Sequence, residues 1–211
     1  MIWYDLTAES YASSDKKYAE RNLDIKLRIR GLVSKIRPNV ILDLGCGGGR
    51  YFPFLKGELM VGVDLSKGML KEAKRFKHVQ LIQADVYHLP FRESSFDLII
   101  SMSVIGECCP FNIELLKEIS NILRSKGTFL FTVIPLHHLL LPSQKYLQFF
   151  IPFQFIQLMR SNTYLPHFGA SKLQIIAILR KLELEICKID ERHGAAYPHF
   201  IVESYSVKSR E

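Results

Sequence analysis

The order of apolar and polar positions divides the chain into short strands and amphipathic helices. Five stretches are nearly continuous in apolar residues: "NVILDLG" (39–45), "LMVGVDLS" (59–66), "VQLIQAD" (79–85), "FDLIISMS" (96–103) and "TFLFTVIP" (128–135). Runs of this length bounded by turn residues are expected as strands buried on both faces. Helical spacing lies between them. Residues 14–37 carry Leu23, Leu27, Ile29, Leu32, Val33 and Ile36 among many charges, which predicts an amphipathic helix, although the middle, "LDIKLRIR", also alternates as a strand would. A second helix is expected after Ser66, its capping residue, through Phe76, and a third over "NIELLKEISNILRSKG", closed by Gly127. The pattern then changes. "SKLQIIAILRKL" reads as a helix, and "LEICKIDER" and "HFIVESYSVK" as two strands joined by a loop alone, hence antiparallel. The fold predicted is α/β: a mostly parallel sheet with helices on both faces and a C-terminal antiparallel hairpin.

One segment resists this pattern. Residues 136–169 are rich in Leu and Phe but are broken by Pro142 and Pro152 and carry Lys145, a poor membrane span. They are expected as an inserted apolar covering segment over the strand ends. Composition adds little to the fold: 211 residues, 48% apolar and 23% charged, suit a single α/β domain. The net charge of +7 favours anionic partners, RNA or acidic lipid among them, but no clustered patch sharpens that. The cysteines, Cys46, Cys108, Cys109 and Cys187, have no zinc-like spacing, and the first residues lack the layout of a signal peptide. No metal site and a cytoplasmic setting are therefore expected.

The chemistry concentrates in "VILDLGCGGGR", where four of the six residues from Gly45 to Arg50 are glycine, directly after a strand. Bare backbone there lets a ligand approach closely, and the carboxyl ends of strands are where open α/β sheets bind ligands. The dinucleotide fingerprint needs a third glycine at position 50 or, counted from Gly47, at 52, and these positions hold Arg50 and Phe52. Three acids end three consecutive strands instead: Asp43, Asp64 and Asp85. A carboxylate at the second strand end can accept from both ribose hydroxyls, and one at the third from an exocyclic amine. The ligand so described has a ribose and a base and needs no pyrophosphate.

Together, "VILDLGCGGGR", "VGVDLSKGML", "ADVYHLPFRESSFDLII" and "LLKEISNILRSKGTFLF" resemble the class I S-adenosylmethionine-dependent methyltransferases, in particular their type-11 group, and "YDLTAESY" (Tyr4 to Tyr11) is similar to that group's N-terminal lid. The resemblance covers about residues 4–135. It implies a Rossmann-like, seven-stranded sheet, which the terminal hairpin fits, and a helical lid over residues 1–37. It implies S-adenosylmethionine as cofactor and S-adenosylhomocysteine as product. By the same resemblance Asp43 and the loop of Gly45, Cys46, Gly47 and Gly49 meet the methionine part, and Asp64 meets the ribose. Leu65 and Met69 lie at the adenine, Asp85 and Val86 at its amine and edge, Ser101 and Met102 near the methyl group, and Tyr11 closes over it. Asp43 has a second expected role, tying the glycine loop by accepting from its amides.

The chain departs from the family after the fourth strand, where "SVIGECCP" replaces a pair of histidines. Glu107, His138 and His167 are the candidates for a general base, Glu107 equally for capping the helix that follows; Cys108 and Cys109 read as small packing residues. The Leu/Phe-rich segment points to a small apolar or aromatic acceptor, methylated by in-line displacement. RNA is the alternative acceptor, on the basic residues of the first helix and a faint similarity to tRNA wobble-uridine methyltransferases. A non-catalytic cofactor-binding protein is the third reading. Peripheral membrane contact of residues 136–169 and the oligomeric state are left open.

Overall fold

The computed structural model describes residues 4–10, 22–136, 169–192 and 199–208. A short helix α1 (4–10) is followed by α2 (Leu23–Ile36), β1 (Val40–Leu44), β2 (Leu59–Asp64), α3 (Lys67–Ala73), β3 (Gln80–Gln83) and β4 (Phe96–Ser101). Then come α4 (Ile113–Ile122), β5 (Leu123–Val133), α5 (Lys172–Lys181), β6 (Leu184–Arg192) and β7 (His199–Ser206). The seven strands form one sheet in the order β3-β2-β1-β4-β5-β7-β6. The first five run parallel, and β7 lies antiparallel to both β5 and β6. The chain builds outward from β1 through β2 to β3, then returns to place β4 on the other side of β1. That reversal creates a crevice at the carboxyl ends of β1 and β4.

Strand pleating sorts the core into two layers. Leu42, Leu44, Ile99, Phe129 and Phe131 face Leu115, Leu116 and Ile119 of α4 and Ile175 and Leu179 of α5. Ile41, Leu98, Ile100 and Leu130 face the opposite way, toward Ile25, Ile29 and Val33 of α2 and Leu70 and Ala73 of α3. The helical reading of "LDIKLRIR" prevails because Ile25, Ile29, Leu32 and Val33 form one buried stripe, leaving Leu23 and Leu27 half exposed. Two boundaries differ from the sequence pattern. Helix α3 stops at Ala73, three residues before Phe76. Helix α4 stops at Ile122, and β5 begins at once with Leu123 beside Phe96. Within β5 the left-handed residue is Lys126, not Gly127, and a Cβ on Gly127 would lie 2.8 Å from the Arg124 carbonyl oxygen.

Most of the expected covering segment and part of the expected lid (11–21) lie outside the described residues. The stems of the former are placed: Leu136 N–H donates to the Ala170 carbonyl at 3.0 Å, and Ala170 N–H to that of Ile134 at 3.0 Å. Both ends of residues 137–168 therefore leave from the carboxyl end of β5. Among the described residues no helix is long and apolar enough to cross a membrane.

Candidate active site

At the crevice beside β1 and β4 lies a cleft of about 380 Å³. The glycine loop forms its floor. Gly45 and Cys46 donate their amides to the Val63 carbonyl of β2 at 2.8 and 2.9 Å, and Gly47 donates to Asp64 Oδ2 at 2.8 Å. Asp43 was expected to hold these amides; Val63 and Asp64 hold them instead. Gly45, Gly47 and Gly49 have positive φ of 74°, 52° and 80°. Gly45 is doubly required, because a Cβ there would sit 2.2 Å from Val104 Cγ2, where the loop after β4 presses on the glycine loop.

Asp64 Oδ1 also accepts from Ser66 N–H at 2.9 Å, so this carboxylate ties two loops while lining the cleft. Burial pushes its carboxyl above the ordinary 3.8, against the lowering effect of the Ser66, Gly47 and Leu65 amides. Asp85 lines the cleft too, with Oδ1 accepting from Tyr87 N–H at 3.0 Å. Asp43 lies behind the loop, 1% exposed, and its Oδ2 has no hydrogen-bond partner. Burial, with the nearby Asp64 charge, pushes its carboxyl up to about 8.

The opposite wall is the loop after β4. Ser103 takes a left-handed conformation (φ 61°), unfavourable for a residue with a side chain, and donates its N–H to Thr132 Oγ1 at 2.8 Å. Met102, Ser103, Val104, Cys108 and Cys109 face the cleft. Cys108 is open to water there yet walled by protein on most sides, and burial raises its thiol to about 11; burial raises Cys109 to about 12. These thiols stay protonated at neutral pH. Burial likewise raises the Tyr87 phenol. Tyr87 OH accepts from Asn112 Nδ2 at 3.3 Å, and Asn112 Oδ1 caps α4 by accepting from Leu115 N–H at 3.0 Å. Glu107 therefore does not cap that helix. Its Oε1 lies 2.7 Å from Nε2 of the buried His199 at the start of β7.

Of the residues expected at the site, Gly45, Cys46, Gly47, Asp64, Leu65, Met69, Asp85, Val86 and Met102 line the cleft. Asp43 and Gly49 stand behind its floor. Ser101 is fully buried and donates Oγ–H to the Leu44 carbonyl at 3.1 Å, joining β4 to β1. Tyr11, His138 and His167 lie outside the described residues. Sequence reasoning passed over Tyr4, Arg50, Ser66, Tyr87, Ser103 and Val104 as cleft residues, and took Cys108 and Cys109 only for packing. Tyr87 and Ser66 each stand two residues after a strand-end acid, a spacing that could have marked them. Among the described residues no group of three His, Cys, Asp or Glu could hold a metal ion.

Residues 42–131, which run from within β1 to within β5 and carry nearly the whole cleft, match the family model described as a methyltransferase domain. Over these residues the chain is similar to that methyltransferase-domain family. Over 133 residues the chain is 34% identical to an uncharacterized protein of Methanocaldococcus jannaschii, covering 62% of this chain and 50% of that one. It is 32% identical to the malonyl-[acyl-carrier protein] O-methyltransferase of Hamiltonella defensa, over 58% of this chain and 48% of that protein. A tRNA (carboxymethyluridine(34)-5-O)-methyltransferase of Xenopus tropicalis is 32% identical over 48% of this chain and 16% of its own length. The chain spans about half the length of the first two of these relatives. Among solved structures, the fold matches the methyltransferase in a complex with the Trm112 activator from Haloferax volcanii, with a TM-score of 0.70 and 16% identity over 96% of this chain and 97% of that one. It also matches the magnesium protoporphyrin IX methyltransferase of Synechocystis with bound SAH (TM-score 0.64, 17% identity, 87% and 84% covered).

Proposed function

We propose that this protein is a methyltransferase that transfers the methyl group of S-adenosylmethionine to a small acceptor with apolar or aromatic surface. One observation carries the reading. The cleft at the strand reversal sets the Asp64 and Asp85 carboxylates at consecutive strand ends and faces them with Tyr4, Met102 and Val104. Asp64 keeps lone pairs for two ribose hydroxyls beside its two amide donors, and Asp85 keeps Oδ2 for an amine. Asp43 tests the fit of a cationic methionine part. A buried carboxylate oxygen without a partner is costly, and a nearby ammonium or sulfonium relieves it.

The cofactor supplies an activated methyl group on a sulfonium sulfur that departs with the electron pair of the broken bond. The chain supplies position: the glycine loop leaves room for the methionine part, and the loop after β4 aligns the acceptor. Cys108, Cys109 and Tyr87 are held protonated and act as donors rather than bases. Where the acceptor must lose a proton, Glu107 with His199, His138 and His167 are the groups for that task.

Calorimetry is expected to show one site for S-adenosylmethionine and for S-adenosylhomocysteine; no heat from either overturns the reading. A turnover panel then separates acceptors. The names of relatives acting on malonyl-acyl carrier protein and on carboxymethyluridine share a carboxylate-bearing acceptor, so free and carrier-bound carboxylic acids head that panel.

RNA is the second reading, favoured by the net charge of +7 and by the tRNA-modifying relative. Against it, Arg28 of α2 is paired with Asp190 and Glu203. Filter binding of tRNA over a salt series decides, since phosphate contacts make affinity fall steeply with salt.

A further inference from the structure

Asn112 and Tyr87 hold each other in an arrangement that leaves one hydrogen over. Asn112 caps α4, its Oδ1 accepting from Leu115 N–H at 3.0 Å. A backbone N–H can only donate, so the amide atom turned to Leu115 is the oxygen and the other is the nitrogen. That nitrogen, Nδ2, lies 3.3 Å from the Tyr87 OH and has only hydrogens to offer, so the phenol oxygen accepts. The phenol's own hydrogen then points elsewhere. Among the described residues this OH forms no other hydrogen bond. Burial raises the phenol above its ordinary 10, so the hydrogen stays on at neutral pH.

Both ends of Tyr87 are fixed. Its N–H donates to Asp85 Oδ1 at 3.0 Å, in a turn that His88 N–H closes on the Asp85 carbonyl at 3.0 Å. Its ring packs on the buried core, where Leu115, Leu116 and Ile119 also anchor the helix that carries Asn112. Asp85 and Tyr87 both line the cleft, one with Oδ2 open to accept and the other with a hydrogen open to donate. A tether between the two segments needs the phenol oxygen alone. An acceptor and a donor on one wall match a ligand edge that offers a donor beside an acceptor. The amino edge of adenine is such an edge, since its amine donates and the ring nitrogens on either side, N1 and N7, accept. An oxo purine puts an acceptor where that amine stands.

We propose that Tyr87 reads the base of the cofactor, its O–H donating to an adenine ring nitrogen beside the amine that Asp85 receives, and that Asn112 is the positioning residue that turns this hydrogen into the cleft. The inference rests on the cofactor reading above and adds to it a contact of opposite sense to that of Asp85. A carboxylate by itself accepts from any donor. Paired with a fixed donor it selects one order of donor and acceptor along the ligand. A base without the matching nitrogen leaves the phenol hydrogen unpaired, and a site built of polar groups rejects near neighbours in this way.

The test measures the affinity of S-adenosylhomocysteine and of its 1-deaza and 7-deaza analogues for the full chain and for three variants, Tyr87→Phe, Asn112→Asp and the double substitution. The wild type is expected to bind S-adenosylhomocysteine about tenfold more tightly than at least one analogue, the one lacking the nitrogen that Tyr87 reads. Tyr87→Phe is expected to lose about tenfold toward S-adenosylhomocysteine and nothing toward that analogue. Asn112→Asp keeps an oxygen for the cap on Leu115 and sets a second oxygen at the phenol, which draws the hydrogen back from the cleft. It is expected to copy Tyr87→Phe, with the double variant no weaker than either. Wild-type affinity in either single variant overturns the proposal, and so does a wild type that binds all three ligands alike. An equal loss toward all three ligands in Tyr87→Phe makes the residue merely structural and also overturns it. Failure of the unsubstituted chain to bind S-adenosylhomocysteine is a separate result, which overturns the cofactor reading itself.

Discussion

Asp43 shows how much a single buried carboxylate can report. Its carboxyl is raised from 3.8 to about 8, so between those values the folded chain holds a proton that the unfolded chain has lost. Stability therefore falls as pH rises across that window and levels off beyond it. Asp43→Asn is expected to flatten the fall, with thermal midpoints at pH 6 and pH 8 closer together than in the wild type. If a cationic ligand part restores the carboxylate, binding at neutral pH releases a proton. Calorimetry in buffers of different ionisation enthalpy is expected to detect that release in the wild type and not in Asp43→Asn. Two glycines of the same loop separate folding from binding. Gly45→Ala meets both a left-handed backbone and Val104 and is expected to destabilise by about 2 kcal/mol or more. Gly47→Ala meets open space, so only the backbone strain of about 1 kcal/mol remains. Because Gly47 lines the cleft, its added methyl is expected to weaken S-adenosylhomocysteine binding far more than its effect in urea denaturation. At this scale the acids at 64 and 85 were readable because strand ends can be located from apolar runs. Ser103 and Val104 were not, because which way a loop residue faces depends on what packs against the loop.

Elements were readable where periodicity and cap chemistry agreed. Helix α5 begins at a capping box: Ser171 Oγ accepts from Gln174 N–H at 3.2 Å while Gln174 Oε1 accepts from Ser171 N–H at 2.9 Å. Ser171→Ala is expected to cost about 1 kcal/mol in denaturant unfolding without changing cofactor affinity. Strand β6 runs over the span "LEICKIDER" read as a strand, Leu184–Arg192. The end of α4 was misread because "LRSKG" resembles a helix terminus with a closing glycine. What decides it is tertiary: Leu123 is fully buried and pairs with Phe96, so β-pairing captures residues that local propensity would leave helical. Helix α1 shows the opposite case. Its seven residues carry little helical signal alone, and its contacts with Ser66 and Gly68 lie about sixty residues away in the chain.

For the whole molecule, the alternation of buried strands and amphipathic helices sufficed for the fold class and the sheet, and four motifs in order carried the resemblance to methyltransferases. Both follow from local rules: an apolar run must be covered on two faces, and a glycine-rich turn after a strand leaves room for a ligand. The sequence by itself also determined the net charge, but not its distribution. Pairing of Arg28 with Asp190 and Glu203, and of Arg192 with Asp24, spends on packing α2 against the terminal hairpin charges that could otherwise have met an anionic partner. Only the tertiary structure decided that Asp64 rather than Asp43 ties the glycine loop, that Glu107 joins His199, and that α1 meets Ser66 and Gly68. Each of these depends on distance between residues far apart in the chain, and hydrogen bonds form by position in space, which no local pattern encodes.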